Sequence, residues 1–245
     1  MQLGTHDIAA LIDTGATASL VPKRFVVREA IVDEWHIVSP LGSRIEPVIR
    51  PSIMFVNGVS VIKPKIAAAR TRFPIIGTDI LFAAERLTLG MAGMRFGSRP
   101  DLERAVATVA CSAETVRRSG NTAISRVTAT LEIDGQEHQV FIDTGRKATL
   151  SATAAAPLPK KSSRRSFDIR FNTLGQFRPS RLYRREAVIA VGQRNFTIRY
   201  EHYPKDHSCE EPFILGGGIL EMFDLYIAPK DGIMCFFEPG DAFAN

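Results

Sequence analysis

The chain has 245 residues and a formal net charge of +5, a length that suits one large all-β domain or two domains of roughly 100 residues. Hydrophobic residues make up 45% and charged residues 23% of the sequence, a globular composition that excludes disordered and collagen-like chains. No run approaches eighteen apolar residues, so we expect no transmembrane segment. The three cysteines, Cys111, Cys209 and Cys235, are widely spaced, which excludes a disulfide scaffold and a CxxC zinc motif.

The sequence repeats itself once, in three segments that recur in the same order. LIDTGATASL at residues 11–20 recurs as FIDTGRKATL at 141–150, SPLG at 39–42 as NTLG at 172–175, and PIIGTDIL at 74–81 as FILGGGIL at 213–220. The spacing between copies grows slowly, as polar insertions in surface loops of the second copy would produce. We therefore predict a duplicated chain, with a first half over residues 1–96, a linker over 97–120 and a second half over 121–245.

Both halves show short apolar segments separated by turn residues, a pattern typical of β-structure. The predicted elements, in chain order, are a hairpin over 53–62 around Asn57-Gly58, helices over 79–86 and 101–110, a strand over 127–133, a turn at Asp134-Gly135, a strand that ends at Asp143, and a hairpin over 188–200 around Gly192-Gln193. The segment 97–120 has few strand signals, which is why we assign it to the linker. These patterns predict an all-β fold with few short helices.

Each copy of the repeat places the triplet Asp-Thr-Gly at the end of an apolar strand, beginning at Asp13 and at Asp143. Burial at a strand end disfavours ionisation of the carboxyl group. The glycine allows the backbone to approach that group closely, and the threonine hydroxyl can hydrogen-bond to neighbouring backbone. A single triplet is more typical of an ordinary turn, but two at equivalent places in a duplicated chain predict a pair of functional carboxylates.

These features resemble the aspartic proteases of the pepsin and retropepsin kind. LIDTGA at residues 11–16 is followed by IIG, whose Gly77 lies 64 residues after Asp13, close to the spacing in a retropepsin subunit. The resemblance implies two pseudo-twofold-related β-barrel lobes in one monomeric chain, and the small lobes imply a bacterial origin. It implies an endopeptidase in which Asp13 and Asp143 activate a water, with peptide or protein substrates and without a metal or organic cofactor.

The resemblance also assigns roles to residues outside the two aspartates. Those expected to support the active-site loops are Thr14, Gly15, Ala16, Thr144 and Gly145. Those expected in substrate-binding flaps are Leu41, Gly42, Leu174 and Gly175, although an ordinary hairpin turn explains these glycines equally well. The segments 75–77 and 214–216 are expected to pack behind the aspartate loops as structural residues.

Arg146 departs from the family pattern, which has a small residue directly after the second triplet. A guanidinium next to Asp143 would favour the ionised carboxylate and disfavour a proton shared with Asp13. The alternative is that the Arg146 side chain points to solvent, as turn side chains often do. An inward Arg146 favours a second function, a catalytically inactive aspartic-protease-like domain that binds peptide or a partner protein.

Two further departures concern segments rather than single side chains. Gly217-Gly218 stands where the first copy has Thr78-Asp79, a segment that varies within the family. Aligning the two copies also places the counterpart of the strand over 127–133 before Met1, so the first half is expected to lack its opening strand. The compartment therefore stays open: cytoplasmic for the chain as it stands, periplasmic or membrane-anchored if an upstream segment exists.

Other candidate sites are weaker. His202, Asp206, His207 and Cys209 are residue types that bind metals, but their irregular separation is more typical of a solvated polar loop. Basic clusters over 160–165 and 181–185 accompany no nucleic-acid-binding motif, so we expect no nucleic-acid partner.

Overall fold

The computed structural model of this protein is built mainly of β-strands, as the sequence predicts. It describes residues 1–3, 6–26, 31–39, 42–51, 54–56, 59–61, 64–118, 121–156, 164–171, 177–207 and 209–244. Within these residues there is one short α-helix, α1 (Thr78–Leu81), and the remaining helical turns are of the 3-10 type. These turns span Lys23–Phe25, Leu102–Arg104, Gly217–Glu221, Pro229–Asp231 and Asp241–Phe243.

The strands of the first half are short, and only two of them exceed four residues. They are β1 (Gln2–Leu3), β2 (His6–Asp7), β3 (Leu11–Ile12), β4 (Leu20–Pro22), β5 (Ile31–Ser39), β6 (Gly42–Ile49), β7 (Met54–Val56), β8 (Val59–Val61), β9 (Ile66–Ala69), β10 (Ile75–Ile76), β11 (Leu87–Gly90) and β12 (Gly93–Phe96). The remaining strands are longer on average. They are β13 (Ala107–Arg118), β14 (Asn121–Ile133), β15 (Gln136–Asp143), β16 (Leu150–Ala152), β17 (Arg164–Phe171), β18 (Phe177–Val191), β19 (Arg194–His202), β20 (Phe213–Gly216), β21 (Asp224–Ala228) and β22 (Ile233–Phe237).

Both halves build the strands around their Asp-Thr-Gly triplets into the same order. In the first half this order is β3-β10-β4-β9-β6-β5, and in the second it is β15-β20-β16-β19-β18-β17. The strand before each triplet, β3 or β15, is parallel to a strand from later in the same half, β10 or β20. That later strand is in turn antiparallel to the strand after the triplet, β4 or β16. Each triplet loop therefore connects two strands that are separated in the sheet by one strand from later in the chain. This arrangement fixes the loop where those strands end.

Three hairpins follow the sequence prediction. β7 pairs with β8, β14 with β15, and β18 with β19, all antiparallel. At the second of these turns Asp134 and Gly135 have φ of 52° and 76°, the positive values that a two-residue turn of this type requires. Gly192 has φ of 61°, whereas Asn57 and Gly58 lie outside the described residues.

The prediction of a helix over 101–110 is wrong. A single 3-10 turn, Leu102–Arg104, is followed by the strand β13, which pairs with β22 over its first four residues and with β14 over the rest. The helix predicted over 79–86 is shorter than expected and is α1. In β13, pairing with β22 and then with β14 outweighs the helical preference of the local sequence. The segment predicted as a linker thus contributes a long strand, and the division of the chain at 96 and 121 stays a prediction.

Strands from the two halves interleave in one sheet. β11 pairs with β21, with Leu87 opposite Ile227, and the sheet continues from β12 and β11 through β21 and β22 to β13. The largest hydrophobic cluster also draws on both halves, including Leu81 and Phe223. Two strands of two residues, β1 and β2, precede β3, and β1 also pairs with β7. In the described part of the chain, no helix has the length and apolar character needed to cross a membrane.

Candidate active site

The two Asp-Thr-Gly loops meet through their threonines. The hydroxyl of Thr14 donates to the carbonyl of Ile142 at 2.8 Å, and the hydroxyl of Thr144 donates to the carbonyl of Ile12 at 2.9 Å. The hydroxyl of Thr144 also accepts the backbone N–H of Thr14 at 3.2 Å, and the hydroxyl of Thr14 accepts that of Thr144 at 3.0 Å. Both threonines are buried. Four reciprocal hydrogen bonds therefore hold the loops together, and all four run between the two halves.

Each glycine of the triplets packs against the aspartate of the opposite loop. A Cβ atom added to Gly15 would lie 2.4 Å from Cγ of Asp143, and one added to Gly145 would lie 2.5 Å from Cγ of Asp13. These distances are shorter than any contact between carbon atoms tolerates. Only glycine therefore fits at both positions, and its absence of a side chain allows the two carboxyl groups to face each other.

Asp13 is almost fully buried, with 5% of its surface exposed. Its Oδ1 accepts the backbone N–H groups of Gly15 and Ala16, each at 3.0 Å, and its side chain is hydrogen-bonded to that of Asp143. Burial, followed by the charge and the hydrogen bond of Asp143, raises the pKa of Asp13 to about 7, although the two backbone N–H groups oppose this. Asp13 therefore keeps a proton at pH values at which an ordinary aspartate is ionised.

Arg146 points inward, which decides between the two orientations that its sequence position allowed. Its Nε donates to Oδ2 of Asp143 at 3.1 Å, and a terminal nitrogen donates to Oδ2 of Asp206 at 2.9 Å. Burial opposes the charge of Arg146, but the carboxylates of Asp143 and Asp206 outweigh it and raise the pKa of the guanidinium. The guanidinium therefore places a positive charge directly beside the carboxyl group of Asp143.

Asp206 was assigned by its sequence to a solvated polar loop, and that assignment is wrong. The residue is 3% exposed, and it follows β19, 60 residues after Arg146. The sequence signal for the role of Asp206 is Arg146 itself, which stands where the family has a small residue. A largely buried guanidinium needs acidic partners. Within the described residues, no group of three or more His, Cys, Asp or Glu side chains is arranged to hold a metal ion.

Ser19 and Asp79 support the first loop, and sequence reasoning missed the role of both. The hydroxyl of Ser19 donates to Oδ1 of Asp79 at 2.6 Å, and its backbone N–H donates to Oδ2 at 3.0 Å. The Ser19 hydroxyl also accepts the N–H of Gly77 at 2.9 Å. In the second half the counterpart of Asp79 is Gly218, where an added Cβ would lie 2.7 Å from the backbone nitrogen of Thr149. Close backbone packing there replaces the carboxylate of the first half.

The flap residues are only partly described. Gly42 begins β6 and is opposite Ser39 at the end of β5. Leu41, Leu174 and Gly175 lie outside the described residues. The role of these segments in binding a substrate stays a prediction.

A scan against protein-family models and a search of curated proteins each found no match to this chain. The function is therefore inferred from the geometry of the two loops.

Proposed function

We propose that this protein is an aspartic endopeptidase that hydrolyses peptide bonds with a water activated between Asp13 and Asp143. The contact between the buried carboxyl group of Asp13, whose pKa is raised to about 7, and the partly buried one of Asp143 carries the proposal. Two carboxyl groups this close do not both ionise easily, so one holds a proton and the other acts as a base. The reciprocal threonine hydrogen bonds support it further, because they fix the geometry before a substrate binds.

In the first chemical step a water oxygen forms a bond to the carbonyl carbon of the substrate. The ionised carboxylate takes one proton from that water, and the protonated carboxyl gives its proton to the carbonyl oxygen. The product is a neutral tetrahedral diol. The proton count of the dyad is unchanged, because one proton has arrived and one has left.

In the second step the bond between carbon and the amide nitrogen breaks. The carboxyl that received the proton from water gives it to the departing nitrogen, and one hydroxyl of the diol returns a proton to the other carboxylate. A carboxylic acid and an amine leave, and the dyad regains its starting protonation. Each carboxyl thus acts once as an acid and once as a base, so both are required.

We further propose that the chain folds as two pseudo-twofold-related lobes of the pepsin and retropepsin kind and is active as a monomer. The shared strand order of the two halves and the sheet that joins them support this proposal. An extended peptide would bind between the lobes, partly through main-chain hydrogen bonds to the hairpins.

Isosteric substitutions of the two aspartates test this function. We expect Asp13→Asn and Asp143→Asn each to lower kcat/KM on unstructured protein substrates by a factor of about 10³ or more, since each removes one proton-transfer group of the dyad. Cleavage of casein and of a fluorogenic peptide library is to be measured between pH 3 and 9.

Asp134→Asn is the matched control, because Asp134 lies in an exposed turn at the far end of the hairpin β14–β15. Asparagine also tolerates its positive φ, and its amide oxygen can still accept the N–H of Val188. Cleavage that persists equally in all three variants would come from a contaminant and would refute the proposal.

A second candidate function is a catalytically inactive domain that binds an extended peptide or a partner protein. The hydrogen bond from Arg146 to Asp143 favours it, because the guanidinium occupies an acceptor that a catalytic water could otherwise use. The two functions predict different results with a peptide that carries a statine group, a mimic of the tetrahedral diol. The enzyme should bind it far more tightly than the matching substrate and lose this preference in Asp13→Asn, whereas the inactive domain should bind both peptides alike.

A further inference from the structure

The two triplet loops share two backbone hydrogen bonds and differ in the residue that directly follows the triplet, Ala16 in the first and Arg146 in the second. The carbonyl of Ala16 accepts the N–H of Thr78 at 2.8 Å, and the carbonyl of Arg146 accepts the N–H of Gly217 at 2.6 Å. The N–H groups of Ala16 and Arg146 likewise donate to the carbonyl three residues earlier, at 3.2 Å and 3.0 Å. Arg146 stands where the first loop has Ala16, and its side chain adds a charged contact to Asp143 that an alanine cannot give to Asp13.

We propose that Arg146 and Asp206 are positioning residues that make Asp143 the base and Asp13 the acid of the dyad, and that they adjust in opposite directions the pH range in which the dyad holds one proton. The effect on catalysis rests on the proposed endopeptidase function. The effect on protonation rests only on the contacts of four side chains: Asp13 contacts Asp143, Asp143 contacts Arg146, and Arg146 contacts Asp206.

The geometry of this chain of charges leaves the guanidinium little freedom. Its Nε and one terminal nitrogen reach different carboxylates, so the planar fork is fixed at two points. Asp206 is held in turn, since its N–H donates to the carbonyl of Tyr203 at 2.9 Å and its carbonyl accepts the N–H of Ala154 at 2.8 Å. The Asp206 side chain is only 1% exposed. Solvent therefore screens these interactions much less than it would screen a surface pair.

A thiol also lies near the guanidinium. Cys209, on the same loop as Asp206, interacts with Arg146, but burial raises the pKa of its thiol to about 11, so the thiol stays neutral at neutral pH. Behind it Arg126 and Glu211 form an ion pair with each other. Arg146 acts on Asp143 directly and Asp206 acts through Arg146, so these are the two charges that the variants change.

The sign of each effect follows from the charge removed. Loss of Arg146 removes a positive charge next to the dyad, so protons bind more tightly and both titration steps of the dyad move to higher pH. Loss of the Asp206 charge leaves the guanidinium less neutralised, so both steps move to lower pH. A purely structural role for the pair predicts no such opposite shifts.

A ¹³C NMR titration of the full chain, labelled at its aspartate carboxyl carbons, tests the inference without relying on catalysis. The resonance of Asp13 is assigned by its loss in Asp13→Asn. The resonance of Asp143 is assigned in the same way with Asp143→Asn, and the two resonances together give the titration steps of the pair. We expect Arg146→Gln to raise the upper titration step of the dyad by roughly 1 pH unit or more, the usual effect of a guanidinium next to a carboxyl group, and to let Asp143 hold part of the shared proton. We expect Asp206→Asn to lower this step and Arg146→Lys to shift it less than Arg146→Gln. The pH profile of kcat/KM should move in the same directions.

An unchanged upper titration step of the dyad in Arg146→Gln, or shifts of the same sign in Arg146→Gln and Asp206→Asn, would overturn the inference. If Arg146→Gln does not fold, the double variant Arg146→Gln/Asp206→Asn replaces it, since its two amides can bond to each other. The upper step of the double variant must then lie above that of Asp206→Asn. If the variants show the expected shifts but the wild-type protein cleaves no substrate at any pH, the endopeptidase function is refuted and the roles of Arg146 and Asp206 in the protonation of the two aspartates stand.

Discussion

Thr14 and Thr144 decide how the two carboxyl groups stand relative to each other. Each hydroxyl is donor to one backbone carbonyl and acceptor from one backbone N–H of the opposite loop. These hydrogen bonds, and not the mutual repulsion of the aspartates, set the distance between the two carboxyl groups. This arrangement allows two acidic groups to stay in contact away from most of the solvent, because the surrounding hydrogen bonds stabilise a contact that the charges alone would oppose.

Removal of one of these hydroxyls should therefore destabilise the whole protein. We expect Thr14→Val to lower the free energy of unfolding by about 2 kcal/mol or more, since it leaves the carbonyl of Ile142 and the N–H of Thr144 buried without partners. Thr14→Ser keeps the hydroxyl and should cost less than about 1 kcal/mol, the loss of one methyl group. Urea unfolding of the three proteins measures the difference. Equal stability of the valine and serine variants would show that the hydroxyl bonds contribute nothing.

At the scale of strands and turns, the local patterns could be predicted and the distant pairings could not. The hairpin at Asp134-Gly135 and the strand that ends at Asp143 follow from alternation and from turn residues a few positions apart. The pairing of Leu87 with Ile227 depends on chain segments far apart in sequence, and no local pattern indicates it. The strand β13 was missed for the same reason, because its partners β14 and β22 make it a strand.

The site shows the same division. The two triplets identify the aspartates and the threonines, because spacing within a repeat is a property of the sequence. The direction of Arg146 was undecided, since it depends on Asp206, which only the folded loop after β19 brings within 2.9 Å. A side chain whose partner lies on another element cannot be oriented from its own neighbours in the sequence.

The turn that the sequence predicted best also gives a quantitative test at this scale. Gly135 has φ of 76°, and an added Cβ there would meet no atom within 4 Å. The cost of Gly135→Ala is therefore that of the backbone conformation alone, which we expect to be about 1 kcal/mol. Asp134→Asn in the same turn should be nearly neutral, and chemical denaturation compares the two. A Gly135→Ala protein as stable as wild type would mean that the turn relaxes to another conformation.

For the whole molecule, the dyad lies where the two halves meet, so its protonation is coupled to folding. The hydrogen bonds between the loops, the pairing of β11 with β21 and a hydrophobic cluster drawn from both halves all join the two halves. Unfolding separates the two aspartates and exposes Asp13 to water. The pKa of Asp13 must then fall from about 7 to its ordinary value near 3.8, and this difference appears in the pH dependence of stability.

The direction of that dependence follows from the raised pKa. The folded protein binds the proton of Asp13 more tightly than the unfolded chain does, so the stabilisation is complete below about pH 4 and is lost as the pH rises to about 7. A difference of about three pH units corresponds to a loss on the order of 4 kcal/mol. Other carboxylates that are paired in the folded state act in the opposite direction at low pH, so wild type must be compared with Asp13→Asn at each pH. The stability of wild type relative to this variant should fall steadily between pH 4 and 8 in urea unfolding. Parallel stability curves for the two proteins would show that Asp13 titrates as an ordinary aspartate and that the two carboxyl groups do not share a proton.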